Sequence, residues 1–305
     1  MSSIRIIAPV TSDNCLQYED LYSQVVSLCS TNRMQLLQID MSAVSFVSVD
    51  GLLALVCIAR LWHRCSGDIV VLQHVDPKVH RYLERMDLFT HCNAWLEQDR
   101  ILTDHERFDR KPNSERLLEI TPIPSDESLN ATAVQAALQR IRTILDSSTS
   151  RDANAVRQLY TMLSEVAQNV VHSLDQGFAI VQRYRQPLGS SLVQNYRVMI
   201  SVADLGIGIE ESLRRNPRSL KQDPKTPLLS GSDYIIKALD VGVTSRNSSG
   251  GIGLYQVRKL VQEWQGILTI RSQRSRVQIT GDRITRTDGL AEIPGTQVTI
   301  EVLGA

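Results

Sequence analysis

The chain has 305 residues and carries 33 basic and 33 acidic side chains, so its formal net charge is zero. Hydrophobic residues make up 42% and charged residues 22% of the sequence, which is typical of a globular protein able to bury hydrophobic cores. The zero net charge argues against nucleic acid as a partner, because such binding normally requires a basic surface. The length favours about two domains.

The cysteines predict neither a disulfide framework nor a metal site, since their number is odd and no two are separated by only two residues. The first ten residues lack the features of a signal peptide. The most apolar run, residues 52–62, is about half the roughly 20 residues that span a bilayer. We therefore expect a cytoplasmic protein that does not insert into membranes.

Strand and helix patterns alternate over residues 1–95, which predicts a small α/β domain. Asp76 and Pro77 have the residue types of an N-cap and of the first position of a helix. The predicted strands are 35–44 and 68–75, and the predicted helices are 50–65 and 76–89.

Residues 96–115 mix both signs of charge and predict a linker. The second domain, residues 116–305, again contains both kinds of element, and its residues 210–232 are polar and contain proline. Its predicted strands are 116–123, 177–185, 196–205, 266–272 and 295–302, and its predicted helices are 124–146, 153–174, 232–240 and 253–265.

The first motif of this domain is Glu165 and Asn169 on the predicted helix 153–174. A spacing of four residues places both side chains on one helix face. A carboxylate beside an amide oxygen suits a hydrated Mg²⁺ that also contacts phosphates, and the carboxylate can instead orient a water or hydroxyl nucleophile. By itself the pair is also compatible with an ordinary helix surface.

The second motif is Asp204, Gly206 and Gly208, which follow an apolar strand. The carboxylate can accept a hydrogen bond from an exocyclic amine such as that of adenine, and glycines let the backbone approach a ring or a ribose. The alternative is an ordinary turn between a strand and a loop.

The third motif is a run of glycines, Gly250, Gly251 and Gly253, before the predicted helix 253–265. Free N–H groups at a helix N-terminus form a site for phosphates. The run contains neither the Walker sequence nor the Rossmann fingerprint. The alternative is a loose turn that precedes a helix.

These three motifs, in this order and followed by Gly295 and Thr296, resemble the ATP-binding domain of the GHKL superfamily over residues 116–303. The resemblance implies a Bergerat-type α/β sandwich, in which helices cover a mixed sheet, and it implies ATP and Mg²⁺ as cofactors. It makes Asn169 the Mg²⁺ ligand and Glu165 the catalytic base that polarises water or an acceptor hydroxyl.

The same resemblance assigns the other ATP contacts. Asp204 is expected to read adenine, with Thr296 assisting through a water, while Gly206 and Gly208 pass beside the nucleotide. Residues 240–253 resemble the lid of that family. The phosphate contacts expected at this lid are Gly251 and Gly253, and Leu254 is a further expected ATP contact. Arg246 is expected to reach the γ-phosphate from the lid, and the alternative for it is a solvated cation.

Residues 1–95 resemble a STAS domain, the fold of anti-sigma-factor antagonists. Regulatory members of that family carry Asp-Ser-Ser/Thr-Gly at a helix start and are phosphorylated on the first serine, whereas this chain has Ser48, Val49, Asp50 and Gly51. Val49 therefore replaces the acceptor. Ser48 remains a candidate acceptor, and Asp50 can imitate a phosphate. The alternative is a docking module that is not phosphorylated.

Two functions follow as expectations. The first is an ATPase or an anti-sigma-type serine/threonine protein kinase coupled to a regulatory protein partner. The second is a nucleotide-gated binding switch with little or no turnover. The family also implies a possible homodimer. Residues 271–286 contain five arginines and one aspartate, which predicts either an exposed hairpin or a surface for an acidic partner or a dimer contact.

Overall fold

The computed structural model describes residues 3–29, 35–99, 116–124, 127–146, 176–185, 196–215, 229–240 and 253–303. Contacts divide the chain into two units, Met1–Pro112 and Asn113–Ala305, at a point inside the predicted linker. No helix within the described ranges is long and apolar enough to cross a membrane.

The first unit contains a four-stranded sheet in the order β1-β2-β3-β4, and all of its neighbouring strands are parallel. Its strands are β1 Ser3–Ile7, β2 Leu36–Asp40, β3 Val70–Gln73 and β4 Leu96–Gln98. Its helices are α1 Tyr18–Cys29, α2 Val49–Ser66, α3 Pro77–Arg85 and α4 Leu88–Cys92. Alternation of strands and helices around a parallel sheet confirms the α/β class predicted for this half.

Local residue chemistry explains where the helices of the first unit begin. Ser48 caps α2 by accepting a hydrogen bond from the backbone N–H of Gly51, and Asp76 caps α3 by accepting one from the N–H of Lys78. The single helix predicted over 76–89 is two helices, because Asp87 between them has a left-handed φ of 64°.

The predicted linker begins too early. Residues 96–98 form β4, which pairs with β3 along the edge of the first sheet. The short length of this strand and its mixed composition, Leu96-Glu97-Gln98, hide it from a periodicity argument. Residues 100–115 lie outside the described part of the chain.

The second unit contains a seven-stranded sheet in the order β10-β9-β8-β11-β7-β6-β5. Its strands are β5 Leu117–Ile123, β6 Gly177–Arg185, β7 Tyr196–Ala203, β8 Ile267–Gln273, β9 Ser275–Thr280, β10 Arg283–Thr287 and β11 Ile293–Leu303. Every pairing among these described strands is antiparallel, so the sheet differs from the expected mixed one. The α/β class itself is confirmed for this unit too.

Helices of the second unit bury one face of this sheet. The described helices are α5 Glu127–Asp146, α6 Gly208–Arg215, α7 Gly231–Ala238 and α8 Gly253–Glu263. Side chains of α5, α7 and α8 join alternate residues of the strands in one hydrophobic core, which includes Ile141, Ile235, Val257 and Trp264. Every second residue of a strand and every third or fourth residue of a helix contribute side chains to this layer.

Residues 210–232, polar and proline-containing in the sequence, include most of α6 and the start of α7. Side-chain ion pairs at a spacing of four residues, Glu210 with Arg214 and Glu211 with Arg215, stabilise α6. The polarity of residues 210–215 is therefore that of a solvent-facing helix side, while Leu213 is buried on the other side.

Within residues 271–286, β9 and β10 form the predicted hairpin around Gly281, and residues 271–273 are the end of β8. Several of its arginines have partners within the unit. The guanidinium of Arg271 is buried and donates to the carbonyls of Gln273 and Ala291, and that of Arg286 lies 2.6 Å from the carboxylate of Asp233. These contacts account for part of the positive charge without an acidic partner.

Candidate functional site

Three polar residues lie side by side at the ends of three adjacent strands in the second unit. On the central strand β11, Thr296 pairs with Ser272 of β8. On its other side, Thr296 accepts a 3.0 Å hydrogen bond at its carbonyl from the N–H of Asp204, which follows the last residue of β7. We call Asp204, Thr296 and Ser272 the polar row.

The strand periodicity places the polar row on the helix-covered face of the sheet. On its own strand, each member continues a series of core residues that are spaced two positions apart and therefore face the same side of the sheet. These series are Val198, Ile200 and Val202 on β7, Leu268 and Ile270 on β8, and Val302, Ile300 and Val298 on β11. The hydrophobic layer thus ends in three polar side chains at one edge.

Asp204 is held tightly by its surroundings. Its side-chain Oδ1 accepts a 2.7 Å hydrogen bond from the N–H of Gly206. Gly295, with a left-handed φ of 84°, lies directly against it, and a Cβ atom at Gly295 would stand only 2.1 Å from the carbonyl oxygen of Asp204. Asp204 and Gly295 belong to two different predicted motifs and are 91 positions apart in the sequence (295 − 204). Their backbones are nevertheless in direct contact.

Ser272 links all parts of this cluster, and sequence reasoning missed it. Its hydroxyl accepts from the N–H of Ile209 at 2.9 Å, lies 3.1 Å from the carbonyl of Gly295 and is 3.2 Å from the Thr296 hydroxyl. The available signal was a serine four residues after Leu268 and two after Ile270, where the strand alternation predicts another core residue.

Packing within the unit explains the glycine at position 208. Gly208 has a φ of 75°, and a Cβ there would approach Gln273 at 2.8 Å and the Ser272 hydroxyl at 2.9 Å. The side-chain amide of Gln273 also donates to the carbonyl of Ile207 at 2.9 Å. The expected reason for this glycine was room for a nucleotide. The structure supplies a further one, the close approach of Gly208 to β8, and the nucleotide role stays a prediction.

The first turns of α6 and α8 share a hydrophobic contact surface. Ile209 from α6 and Leu254 from α8 both pack against a small cluster of Leu213, Tyr234 and Ala238. Gly253 is the first residue of α8, as the sequence predicted. The helix that follows the third motif and the helix that follows the second therefore pack against one small hydrophobic cluster.

The start of α7 is fixed by a polar network that involves the β9–β10 hairpin. Asp288 accepts hydrogen bonds from the hydroxyls of Ser232 and Ser275, at 2.7 and 2.6 Å. Burial opposes ionisation of Asp288, but these bonds outweigh it and lower the pKa of its carboxyl. At the same helix end, hydrogen bonding from the backbone N–H of Ser230 lowers the pKa of Asp233, which with Ser230 forms a capping box. Both carboxylates are therefore anionic at neutral pH.

Several predicted site residues lie outside the described part of the chain: Glu165, Asn169, Arg246 and Gly251. The described residues contain no group of three or more histidine, cysteine, aspartate or glutamate side chains that could hold a metal ion. The expected Mg²⁺ ligand therefore remains a prediction from sequence. The polar row provides one carboxylate and two hydroxyls, which suit recognition of hydrogen-bonding groups.

In the first unit, the residue at the acceptor position of the STAS resemblance is inaccessible. Val49 is the first residue of α2 and is 0% exposed. The Ser48 hydroxyl donates to the carboxylate of Asp50, and the same carboxylate accepts a 3.0 Å hydrogen bond from the N–H of Gly51. Asp50 thus places a negative charge at the positive end of α2.

Replacing Ser272 by alanine tests whether this hydroxyl holds the site together. The change leaves the N–H of Ile209 and the carbonyl of Gly295 without this partner, so we expect the second unit to lose about 1–3 kcal/mol of stability. The exposed β10 residue Thr285, changed to alanine, is the control and should lose under about 0.5 kcal/mol. Urea unfolding of both variants measures the difference, and equal losses would contradict the linking role of Ser272.

Comparison with known proteins identified no related protein by sequence. The sequence matches no protein-family model, and a search of curated proteins returns no significant match.

Proposed function

We propose that the chain is a regulatory protein that binds Mg-ATP in its second unit and hydrolyses it or transfers its γ-phosphate to a serine or threonine of a protein. The observation that carries the proposal is the polar row. It brings the acid of the second motif beside Gly295 and Thr296 on the helix-covered face of the sheet, as a GHKL-type site requires.

In this proposal Asp204 accepts a hydrogen bond from the exocyclic amine of adenine. It is half-buried and lies next to Thr296, so one side of the base would meet a carboxylate and a hydroxyl. A fixed carboxylate favours adenine over guanine, because guanine presents a carbonyl oxygen at the corresponding position. The site would therefore prefer adenine nucleotides.

The phosphates are assigned to the start of α8. The N–H groups of a first helical turn attract anions, and Gly253 begins this helix. Leu254 of that turn packs against the same hydrophobic cluster as Ile209, which lies in the first turn of α6 after Asp204, and this shared packing supports the assignment. Gly251 and Arg246 on the preceding segment are proposed to close over the phosphates.

Catalysis is assigned to the Glu165 and Asn169 pair. Asn169 would hold Mg²⁺, which when bound neutralises charge on the phosphates. Glu165 would polarise the attacking water or hydroxyl, and a positioned base of this kind contributes about 10²–10⁴-fold to a rate. Phosphoryl transfer requires mainly such positioning and charge neutralisation.

Replacing Glu165 by glutamine tests this assignment. With purified protein, Mg²⁺ and γ-labelled ATP, we expect the wild type to release phosphate or to label a protein, and we expect the variant to be at least about 100-fold slower. ATP affinity measured by calorimetry should change little, because the proposed role of Glu165 is in the chemical step.

The matched control is Glu263→Gln, which changes an exposed glutamate near the end of α8 and should leave the rate unchanged. Equal rates for the wild type and Glu165→Gln would exclude Glu165 as the base. Failure of the wild type to bind ATP at millimolar concentration would overturn the whole proposal.

A nucleotide-gated switch without turnover is the second candidate function. The observation that favours it is the complete burial of Val49, where the STAS resemblance would place the acceptor serine. A first unit that lacks this acceptor can still dock a partner by shape. ATP binding without phosphate release or protein labelling by the wild type would support this alternative.

A further inference from the structure

All five cysteines belong to the first unit, and none of them forms a disulfide in the structure. They differ in their accessibility. Cys57 and Cys92 are buried, with exposed fractions of 5% and 0%, whereas Cys29 and Cys65 are partly exposed. The remaining one, Cys15, is also partly exposed.

The topology brings the C-terminal ends of α1 and α2 together. Strands β1, β2 and β3 are parallel neighbours, and α1 and α2 are the crossovers that connect them. Both helices therefore run opposite to the strands and end at the same edge of the sheet. The two helices pack against each other. Cys29 is the last residue of α1, and Cys65 is the penultimate residue of α2.

Helical spacing places both cysteines on buried stripes of their helices. Cys29 follows the buried residues Tyr22 and Val25 by seven and four positions. Cys65 follows the buried residues Ile58 and Leu61 by seven and four positions. Residues with these spacings share one face of a helix. Each cysteine therefore continues a stripe that packs inside the unit, at the end where the stripe reaches the surface.

The two cysteine side chains are close enough to interact with each other. Burial, followed by the interaction with Cys65, raises the pKa of Cys29 well above its ordinary value. Cys29 consequently retains its proton at neutral pH. The first attack on an oxidant is therefore assigned to Cys65.

We propose that Cys29 and Cys65 form a reversible intramolecular disulfide that joins the ends of α1 and α2 when the protein meets a low-molecular-weight disulfide such as oxidised glutathione. This modification site does not depend on the proposed nucleotide site. It would change the surface of the first unit at one sheet edge through a covalent bond between two helices that already touch.

The reaction balances in two exchanges. The Cys65 sulfur attacks one sulfur of oxidised glutathione, its S–S bond breaks, and one glutathione leaves as a thiolate that takes up a proton. Cys29 then loses its proton, its sulfur attacks Sγ of Cys65, and the second glutathione leaves. Two electrons pass from the protein thiols to the reagent, which is reduced to two glutathione molecules.

The buried pair Cys57 and Cys92 provides an internal comparison. Burial, followed by the neighbouring Cys57, raises the pKa of Cys92 to about 12. These two sulfurs are also neighbours, but the protein shields them from a dissolved oxidant. In the native protein they should stay reduced under conditions that oxidise the exposed pair.

The test treats the full-length native protein with oxidised glutathione, blocks remaining thiols and maps disulfides by mass spectrometry without reduction. Trypsin combined with a glutamate-specific protease separates Cys15 from Cys29 by cutting after Glu19. We expect the peptide linking Cys29 to Cys65 to exceed any other cysteine pair at least tenfold, and dithiothreitol to remove it. In Cys65→Ser the link should vanish while the protein stays folded.

The same oxidation in concentrated urea shows whether the native geometry selects the pair. There we expect the preference for the Cys29–Cys65 link to be lost, with other pairs and adducts forming at comparable yields. Stable glutathione adducts on Cys29 and Cys65 of the native protein, without the linked peptide, would overturn the proposal. A native yield of the Cys57–Cys92 link equal to that of the Cys29–Cys65 link would overturn it too.

Discussion

In an Asp204→Asn variant we expect ATP to bind about 100-fold more weakly while the second unit stays folded. A hydrogen bond to a charged group contributes about 1.5–3 kcal/mol, and a tenfold change in affinity corresponds to about 1.4 kcal/mol. The asparagine oxygen can still accept the hydrogen bond from the N–H of Gly206. Its NH₂ group then points away from Gly206 and faces the exocyclic amine of adenine. Both groups are donors, so they cannot form a hydrogen bond with each other.

The same substitution should change the preference between nucleotides. The NH₂ group of asparagine can donate to the carbonyl oxygen of guanine, so the ratio of ATP affinity to GTP affinity should fall in the variant. Calorimetric titration with both nucleotides measures this ratio. Asp282→Asn, an exposed residue in the β9–β10 turn, is the control. ATP affinity within threefold of wild type in Asp204→Asn would exclude Asp204 as the adenine acceptor.

Replacing Gly295 by alanine should destabilise the second unit by about 3 kcal/mol or more. A left-handed φ costs an L-residue roughly 1–2 kcal/mol, and overpacking adds about 1–3 kcal/mol. The new Cβ would stand 2.1 Å from the carbonyl oxygen and 2.6 Å from the carbonyl carbon of Asp204. The hydrogen bond from Asp204 to Thr296 resists separation of the two strands. ATP affinity should fall as well, because Asp204 must move.

Gly289→Ala isolates the contribution of the clash. Gly289 has a comparable φ of 77°, but a Cβ there meets no atom within 4 Å. It should therefore lose only about 1–2 kcal/mol, the cost of the backbone conformation. Urea unfolding followed by hydrogen exchange over β7 and β11 reports on the second unit alone. Equal losses in the two variants would contradict the close contact between Gly295 and Asp204.

Local patterns predicted many elements well, and the misses have local causes too. Asp76 and Pro77 marked the start of α3 because capping and proline geometry depend on neighbouring residues only. The apolar stretch within residues 196–205 marked β7 for the same reason. By contrast, β4 is too short to show a period, and α6 has a polar side that resembles a loop in composition.

The candidate site was predicted in part. Asp204 and Thr296 were singled out from their motifs, and the structure places them in contact. Ser272 was overlooked because a serine at a strand end carries no motif of its own. Its importance comes from its neighbours, Ile209 and Gly295, which are 63 positions before it and 23 positions after it.

The sequence by itself determined the two α/β halves, the strands and helices with clear periods, and the residue types from which the proposed site is built. Only the tertiary structure decided which of those residues meet. Strand β11 lies between β7 and β8, although it follows both in the chain and is separated from β7 by three helices and three strands in the described residues. The order of strands depends on packing between distant segments, which no local pattern encodes. That order aligns Asp204, Thr296 and Ser272 in one row.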